Sequence, residues 1–313
     1  MARTSRFPLS RITKSGVLTP DKVMAALLDA PTVQSKEYAW TVLDAAKGSV
    51  SQAPKIEYVF GKLVKYDHDA VVDVVDESNR RVRPQITHDL VTAASPFIYI
   101  PSHACFSHQH VWNQIRPADF RKHIANLIKD FHAGFFVDCE LHAIVEMQKF
   151  ALRLADLSEI ERIRATVKPP NPLFSPHWKS LKDYLHKRRA SQLHLREQAD
   201  HGNALDSSLI EAAKATLEAL DQDEASSIVE PLPLADAAVL MAADGYGSAE
   251  IVGKSGTVAH VIRTTDNVVE LKLPADEAPD VIAAATYSAI ERINKRRSLT
   301  HSDPVINPAF EIK

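Results

Sequence analysis

Apolar and polar positions along the chain change period several times, and each change marks an element. Thr19-Pro20-Asp21 carries a hydroxyl cap followed by proline at the first helical position, which predicts a short helix ending near Ala30, before Pro31. Tyr38, Trp40 and Val42 then alternate with smaller or polar neighbours, the period of a half-buried strand. The alternation returns from Lys55 to Tyr66 through Ile56, Tyr58 and Phe60, and from Ala70 to Asp76 through Val71, Asp73 and Val75. Asp67-His68-Asp69 reads as a polar hairpin turn between those two runs. The first third is therefore expected to be a helix followed by an antiparallel meander.

The middle third is sharper. Ser95 to Pro101 is a strand bounded by prolines, with Ala104 to Val111 as its partner. Pro117-Ala118-Asp119 opens a helix in which Phe120, Ile124, Leu127, Ile128 and Phe131 form one apolar stripe. A strand from Phe135 to Val145, a helical segment from Leu152 to Ile160 and a strand from Arg162 to Val167 follow. Pro169-Pro170-Asn171-Pro172 must be extended, because each residue before a proline is disfavoured in the α region. Beyond it, Trp178 to Arg196 and Ser207 to Leu220 read as helices, the second opening on Ser208-Leu209-Ile210-Glu211, a capping-box pattern. Ala249 to Val252, Thr257 to Thr264 and Val268 to Leu273 read as strands, and Asp276 to Arg297 as a final helix with a basic end.

Strands and helices occur in groups, without regular βαβ alternation, so the expected class is α+β. The architecture is an antiparallel or mixed sheet with packed helices, a helical middle segment, and a C-terminal β-hairpin plus helix. Three segments are expected: an N-terminal α+β domain over 1–172, a helical segment over 173–230, and the hairpin and helix over 231–313. The last would complete one compact unit with the rest.

Composition narrows the function. Of 313 residues, 45% are hydrophobic and 25% charged, the balance of an ordinary globular protein. Lys and Arg number 37 against 40 Asp and Glu, a net charge of -3, which excludes a histone-like coat but leaves room for a local basic face. Two cysteines, Cys105 and Cys139, make neither a disulfide framework nor a four-cysteine zinc site, which points to a reducing cytoplasm. No apolar run has the length of a membrane span, and the basic start leads into no signal-peptide core.

Few residues suggest chemistry. Asp138, Glu140 and His142 alternate on one strand and so share a face. They are either the solvated face of an ordinary strand or a site for Mg²⁺ or Mn²⁺ in a nuclease or abortive-infection toxin, loosely extended by Glu146 and Lys149. His103, His108 and His110 crowd a short segment around Cys105, but an isolated His-x-His lacks the recurring spacing of a zinc site. Gly253-Lys254-Ser255 lacks the upstream glycine of a phosphate loop, and Gly245-Tyr246-Gly247 lacks the strand-to-helix context of a dinucleotide site; both read as turns. Basic clusters are the remaining signal. Arg80, Arg81, Arg83, Arg162, Arg164, Lys168, Arg188 and Arg189 are the candidate phosphate contacts, Arg162 and Arg164 placing two guanidinium groups on one strand face.

The order of elements across residues 38–172 resembles a known group. The meander is followed by a Pro96-Phe97-Ile98-Tyr99-Ile100 strand, its partner, the Phe120-to-Phe131 helix, the acidic strand, and a strand ending in Val167-Lys168-Pro169-Pro170-Asn171-Pro172. This order resembles that of phage-exclusion proteins of the RexA type and related prophage-encoded defence proteins. The resemblance implies an α+β fold, DNA binding, dimerisation and a role in sensing infection, and it carries over no catalytic residue. The expected protein is thus a cytoplasmic sensor or regulator without catalysis or cofactor of its own. It would bind nucleic acid, DNA first, as a homodimer or larger assembly, with a partner protein also admitted. A metal-dependent nuclease and an assembly subunit are the alternatives.

Overall fold

Residues 4–15, 18–51, 55–133, 137–168, 184–185, 187–200, 202–222 and 232–300 are described by a computed structural model. The fold is α+β, built on two antiparallel sheets. The larger has eight strands. Its spine runs β12 (Glu270–Pro274), β1 (Thr4–Ser15), β6 (Cys105–His108), β5 (Arg81–Ile100), β4 (Ile56–Asp76), β3 (Tyr38–Val50) and β2 (Val33–Ser35), while β7 (Asp138–Ala143) also pairs with β1. The smaller runs β11 (Val258–Arg263), β10 (Gly247–Ser255), β8 (Glu159–Val167) and β9 (Leu193–Gln198).

The larger sheet is covered on both faces. On one lie α1 (Pro20–Leu28) and α2 (Pro117–Phe131), whose Val23, Leu27, Phe120, Ile124 and Leu127 pack on Leu63, Phe97, Tyr99 and Phe106. Thr19 caps α1 by accepting from the Lys22 backbone N–H, as its sequence predicts. On the other lies α6 (Pro279–Thr300), whose Ile282, Ala283, Ala289 and Ile290 meet Phe7, Leu9, Ile98 and Ile100. One face of the smaller sheet is covered by α3 (Met147–Ala155), α4 (Leu209–Gln222) and α5 (Leu234–Met241). Among the described residues its other face carries no such layer, and it is called uncovered in that sense.

Several expectations change. β1 was not foreseen, because the strand is buried continuously from Phe7 to Thr13 and carries Ser10, Arg11 and Thr13 inside. Its interior position replaces the alternation that marks a half-buried strand. Asp67-His68-Asp69 is not a turn: β4 runs straight through it, and the chain reverses at 77–80. Beyond Tyr66 on β4 and before Val91 on β5 the two strands pair only with each other, so they leave the sheet as a ribbon with Arg81 and Arg83 near its end. The helix expected over Leu152 to Ile160 starts earlier, at Met147, and gives way to β8 at Glu159. The helix expected to reach Arg196 does not: Leu193–Gln198 is a strand, and residues 178–183 lie outside the described part. The Pro169–Pro172 step and both expected segment borders also lie outside it. Strands from the last third enter both sheets, β12 beside β1 and β10 beside β8.

The turn from α5 into β10 fixes how the sheets join. Gly245 adopts φ +86°, the left-handed region open to glycine, and bends the chain out of the helical segment. A Cβ on Gly247 would lie 2.1 Å from the Thr166 carbonyl oxygen. Gly247→Ala must therefore separate β10 from β8, at a cost of about 1–3 kcal/mol. Urea unfolding should show a lower midpoint with the slope retained; an unchanged midpoint would contradict this packing.

Candidate functional site

Antiparallel pairing puts opposite residues on the same face, so the register of the smaller sheet specifies what its uncovered side carries. Arg164 lies opposite Arg196 on one side and Glu250 on the other, and Glu250 lies opposite Arg263. Thr166 lies between His194 and Ser248, and Arg162 between Gln198 and Val252. The alternate residues Ile163, Ala165, Val167, Ala249, Ile251 and Ile262 point into the core under α3, α4 and α5. The period-two pattern thus divides each strand into an apolar anchor and a polar display.

The displayed side chains line a cleft of 410 Å³ that includes Arg164, Arg196, Arg263, His194 and Glu250. Glu250 holds Arg263 through Nε at 2.9 Å and Arg162 through Nη2 at 3.7 Å. Arg196 donates from Nη2 to Gln198 Oε1 at 3.0 Å, and Thr166 Oγ1 lies 3.1 Å from His194 Nδ1. Glu250 pairs with Arg162 and Arg263, Arg164 and Arg196 stand beside them on the same face, and Glu161 lines an adjoining cleft with Arg162. Arg164 and Arg196 are exposed. A patch of this kind attracts a polyanion and can donate paired N–H groups to phosphate oxygens.

Lys168 continues the same alternation past the end of β8 but behaves differently. It is 5% exposed, and its Nζ donates to Asp138 Oδ2 at 2.6 Å and to Glu140 Oε1 at 3.0 Å. Lys129 holds the other oxygen of Asp138 at 2.8 Å, and His142 Nε2 lies 3.3 Å from Glu140 Oε2. Contact with His142 leads the causes that, over the opposing effect of burial, hold the Glu140 carboxyl down at about 2, with Lys168 adding to it. Asp138 is also lowered: burial alone would raise it, and the hydrogen bonds from Lys129 and Lys168 outweigh that. The alternation on β7 therefore does bring Asp138, Glu140 and His142 together, as their spacing predicts. Asp138 and Glu140 share the Lys168 ammonium, and His142 meets Glu140.

This network gives a pH dependence with a definite sign. Glu140 ionises more readily folded than unfolded, so its contribution is present above the ordinary glutamate value of 4.5 and is lost as pH falls from there toward about 2. Urea midpoints should fall across that window, and by less in Glu140→Gln than in the wild type. Parallel curves for the two proteins would contradict the assignment.

Among the phosphate contacts expected from sequence, Arg162 and Arg164 share the uncovered face, joined there by Arg196, Arg263 and His194, which sequence reading missed. Arg196 was hidden inside a presumed helix, although Leu193 and Leu195 alternate with His194, Arg196 and Gln198 in the period of a strand. Lys168 is corrected: its ammonium is buried in ion pairs and is not free for phosphate. Arg80, Arg81 and Arg83 are exposed at the ribbon end, and Arg188 and Arg189 are exposed after residue 187. These groups lie on elements separate from the arginine face.

The histidines near Cys105 have separate surroundings. His108 is buried and stacked on Phe120 at 3.8 Å, and burial pushes its pKa well down, keeping the ring neutral. His110 packs on Trp112, and His103 Nε2 meets Glu291 at 2.6 Å. Burial pushes the Cys105 and Cys139 thiols up to about 12, so neither is a ready nucleophile. Gly253-Lys254-Ser255 ends β10, and the expected hairpin into β11 turns just after it, at Gly256-Thr257.

Fold and site together define an α+β protein whose second sheet presents an uncovered arginine-rich face. Residues 31–215, more than half of the chain, match the family described as Domain of unknown function (DUF4747), and the chain belongs to that family. The matched region includes β8 and β9, and hence Arg162, Arg164 and Arg196. No curated protein matches the chain. Among the described residues, no helix is long and apolar enough to cross a membrane.

Proposed function

We propose that this protein binds nucleic acid, DNA first, through the uncovered face of β11-β10-β8-β9, acting as a sensor or regulator in phage defence. The observation that carries the binding reading is that Arg162, Arg164, Arg196 and Arg263 share one sheet face that no helix covers among the described residues. Guanidinium groups hold phosphate in a geometry that lysine cannot reproduce. The defence role rests on the resemblance in element order, and homodimerisation belongs to the same proposal. Affinity arises from phosphate neutralisation with counterion release.

The test is a low-salt titration of labelled duplex DNA, single-stranded DNA and RNA, repeated with Mg²⁺ or Mn²⁺ and resolved on a denaturing gel. Salt-sensitive binding without cleavage is expected. Divalent-dependent cleavage abolished by Glu140→Ala would instead place nuclease chemistry at Asp138, Glu140 and His142. A stable assembly with no affinity for any of the three nucleic acids would favour an assembly subunit.

A further inference from the structure

The larger sheet carries a separate concavity of 690 Å³ where the β2–β3 turn meets the start of α2. Its floor is a stack of Trp40 on His123, rings 3.8 Å apart and 6° from parallel. Both residues are only 5% exposed. His123 lines the cleft, and its buried Nδ1 has no hydrogen-bond partner. Burial pushes the ring down to about 4, so at neutral pH the imidazole is uncharged.

The walls add two further properties. Tyr38 supplies an aromatic face, with Lys65 Nζ 3.6 Å from its centroid. Lys36, Lys65 and Lys122 all line the cleft, and none has a salt bridge to a described residue. Arg116 is already paired with Asp119 at 2.9 Å, which leaves Glu37 as the carboxylate facing three lysines. The cleft is therefore cationic, aromatic on one side, and of a size ordinary for small-molecule sites.

We propose that this cleft binds a free nucleoside phosphate. The lysines attract the phosphates, and the Tyr38 side of the cleft accommodates a planar base. The Asn113 and Gln114 amides supply polar contacts to the base edge or sugar. A bare anion would use the lysines alone and make no use of the Tyr38 side of the cleft or of the Asn113 and Gln114 amides. A neutral aromatic would leave Lys36 and Lys122 without an anion to meet. A nucleotide matches both halves, and the proposal does not depend on the arginine face binding nucleic acid.

Isothermal titration of the full chain with ATP, GTP, AMP and GMP tests it, with adenosine, guanosine and pyrophosphate as controls. A 5′-phosphorylated single-stranded dodecamer is run alongside. At least one nucleotide should bind tenfold or more tightly than pyrophosphate and than its own nucleoside. Lys65→Ala/Lys122→Ala should weaken that binding at least tenfold while the urea midpoint stays within error. Because Lys122 is exposed, Lys122→Glu alone keeps the test free of any packing change at Lys65. Tyr38→Ala should narrow the preference for nucleotide over pyrophosphate. Absence of binding by every nucleotide at millimolar concentration would overturn the proposal, as would pyrophosphate binding as tightly as nucleotides. Binding indifferent to the lysine variants would overturn it too. Lysine-dependent binding of the dodecamer without any free nucleotide would overturn it in favour of a strand end.

Discussion

Removing both carboxylates while leaving the lysine, in Asp138→Ala/Glu140→Ala, is expected to cost about 3 kcal/mol of stability. Lys168 is 5% exposed, and its ammonium has Asp138 and Glu140 at 2.6 and 3.0 Å. An ammonium stripped of both partners in a buried position must be hydrated by local opening or lose its proton, and either is unfavourable. The carboxylates themselves are 49% and 41% exposed, so water reaches the rim of the network and the cost stays at the lower end for a broken buried pair. Adding Lys168→Met to the double variant should restore most of the loss, because the remaining stem packs without a charge. Urea unfolding of the three proteins measures this. A triple variant no more stable than the double would show that the loss came from packing at β7 rather than from the stranded charge.

Fold class and much of the larger sheet were legible in the sequence because their elements each bury one face. The Phe120-to-Phe131 stripe, the strand at Ser95 to Pro101 and the Thr19 cap all carry a periodic signal whose cause is that one-sided burial. What escaped notice lacks that contrast. β1 is buried on both faces, and α5 is apolar nearly all round, with Ala235 to Met241 inside, so neither shows a polar stripe. At 67–69 a polar run reads as a turn, yet there the strand is leaving the sheet and both ribbon faces meet solvent. The candidate site was half legible. Spacing alone put Arg162 and Arg164 on one face, and Asp138, Glu140 and His142 on another. Their partners Arg196, Arg263, Glu250 and Lys168 come from elements distant in sequence, and only strand pairing brings them in.

Arg164→Glu/Arg196→Glu is expected to lower affinity for nucleic acid about 100-fold at 0.1 M salt. Both side chains are exposed on the uncovered face, and neither is held by Glu250, which takes Arg162 and Arg263 instead. Their reversal should therefore leave the sheet's own ion pairs in place. Each lost phosphate contact removes about 0.7–0.9 from the slope of log K against log salt, so two contacts account for roughly 25- to 60-fold at 0.1 M. Repulsion from the two new carboxylates supplies the remainder. Reversing Arg81 and Arg83 at the ribbon end serves as the comparison. Those residues belong to a different element, and a smaller effect there would assign the main contact surface to the second sheet.

Direct evidence comes from the salt dependence of nucleic-acid binding, recorded for the wild type and for Arg164→Glu/Arg196→Glu across 50 to 300 mM salt on the nucleic acid that binds best. The arginine face predicts a steep linear fall for the wild type, with the variant shallower by about 1.4–1.8 in slope and converging on it at high salt. Equal slopes for the two proteins, at unchanged affinity, would contradict a phosphate-binding role for that face.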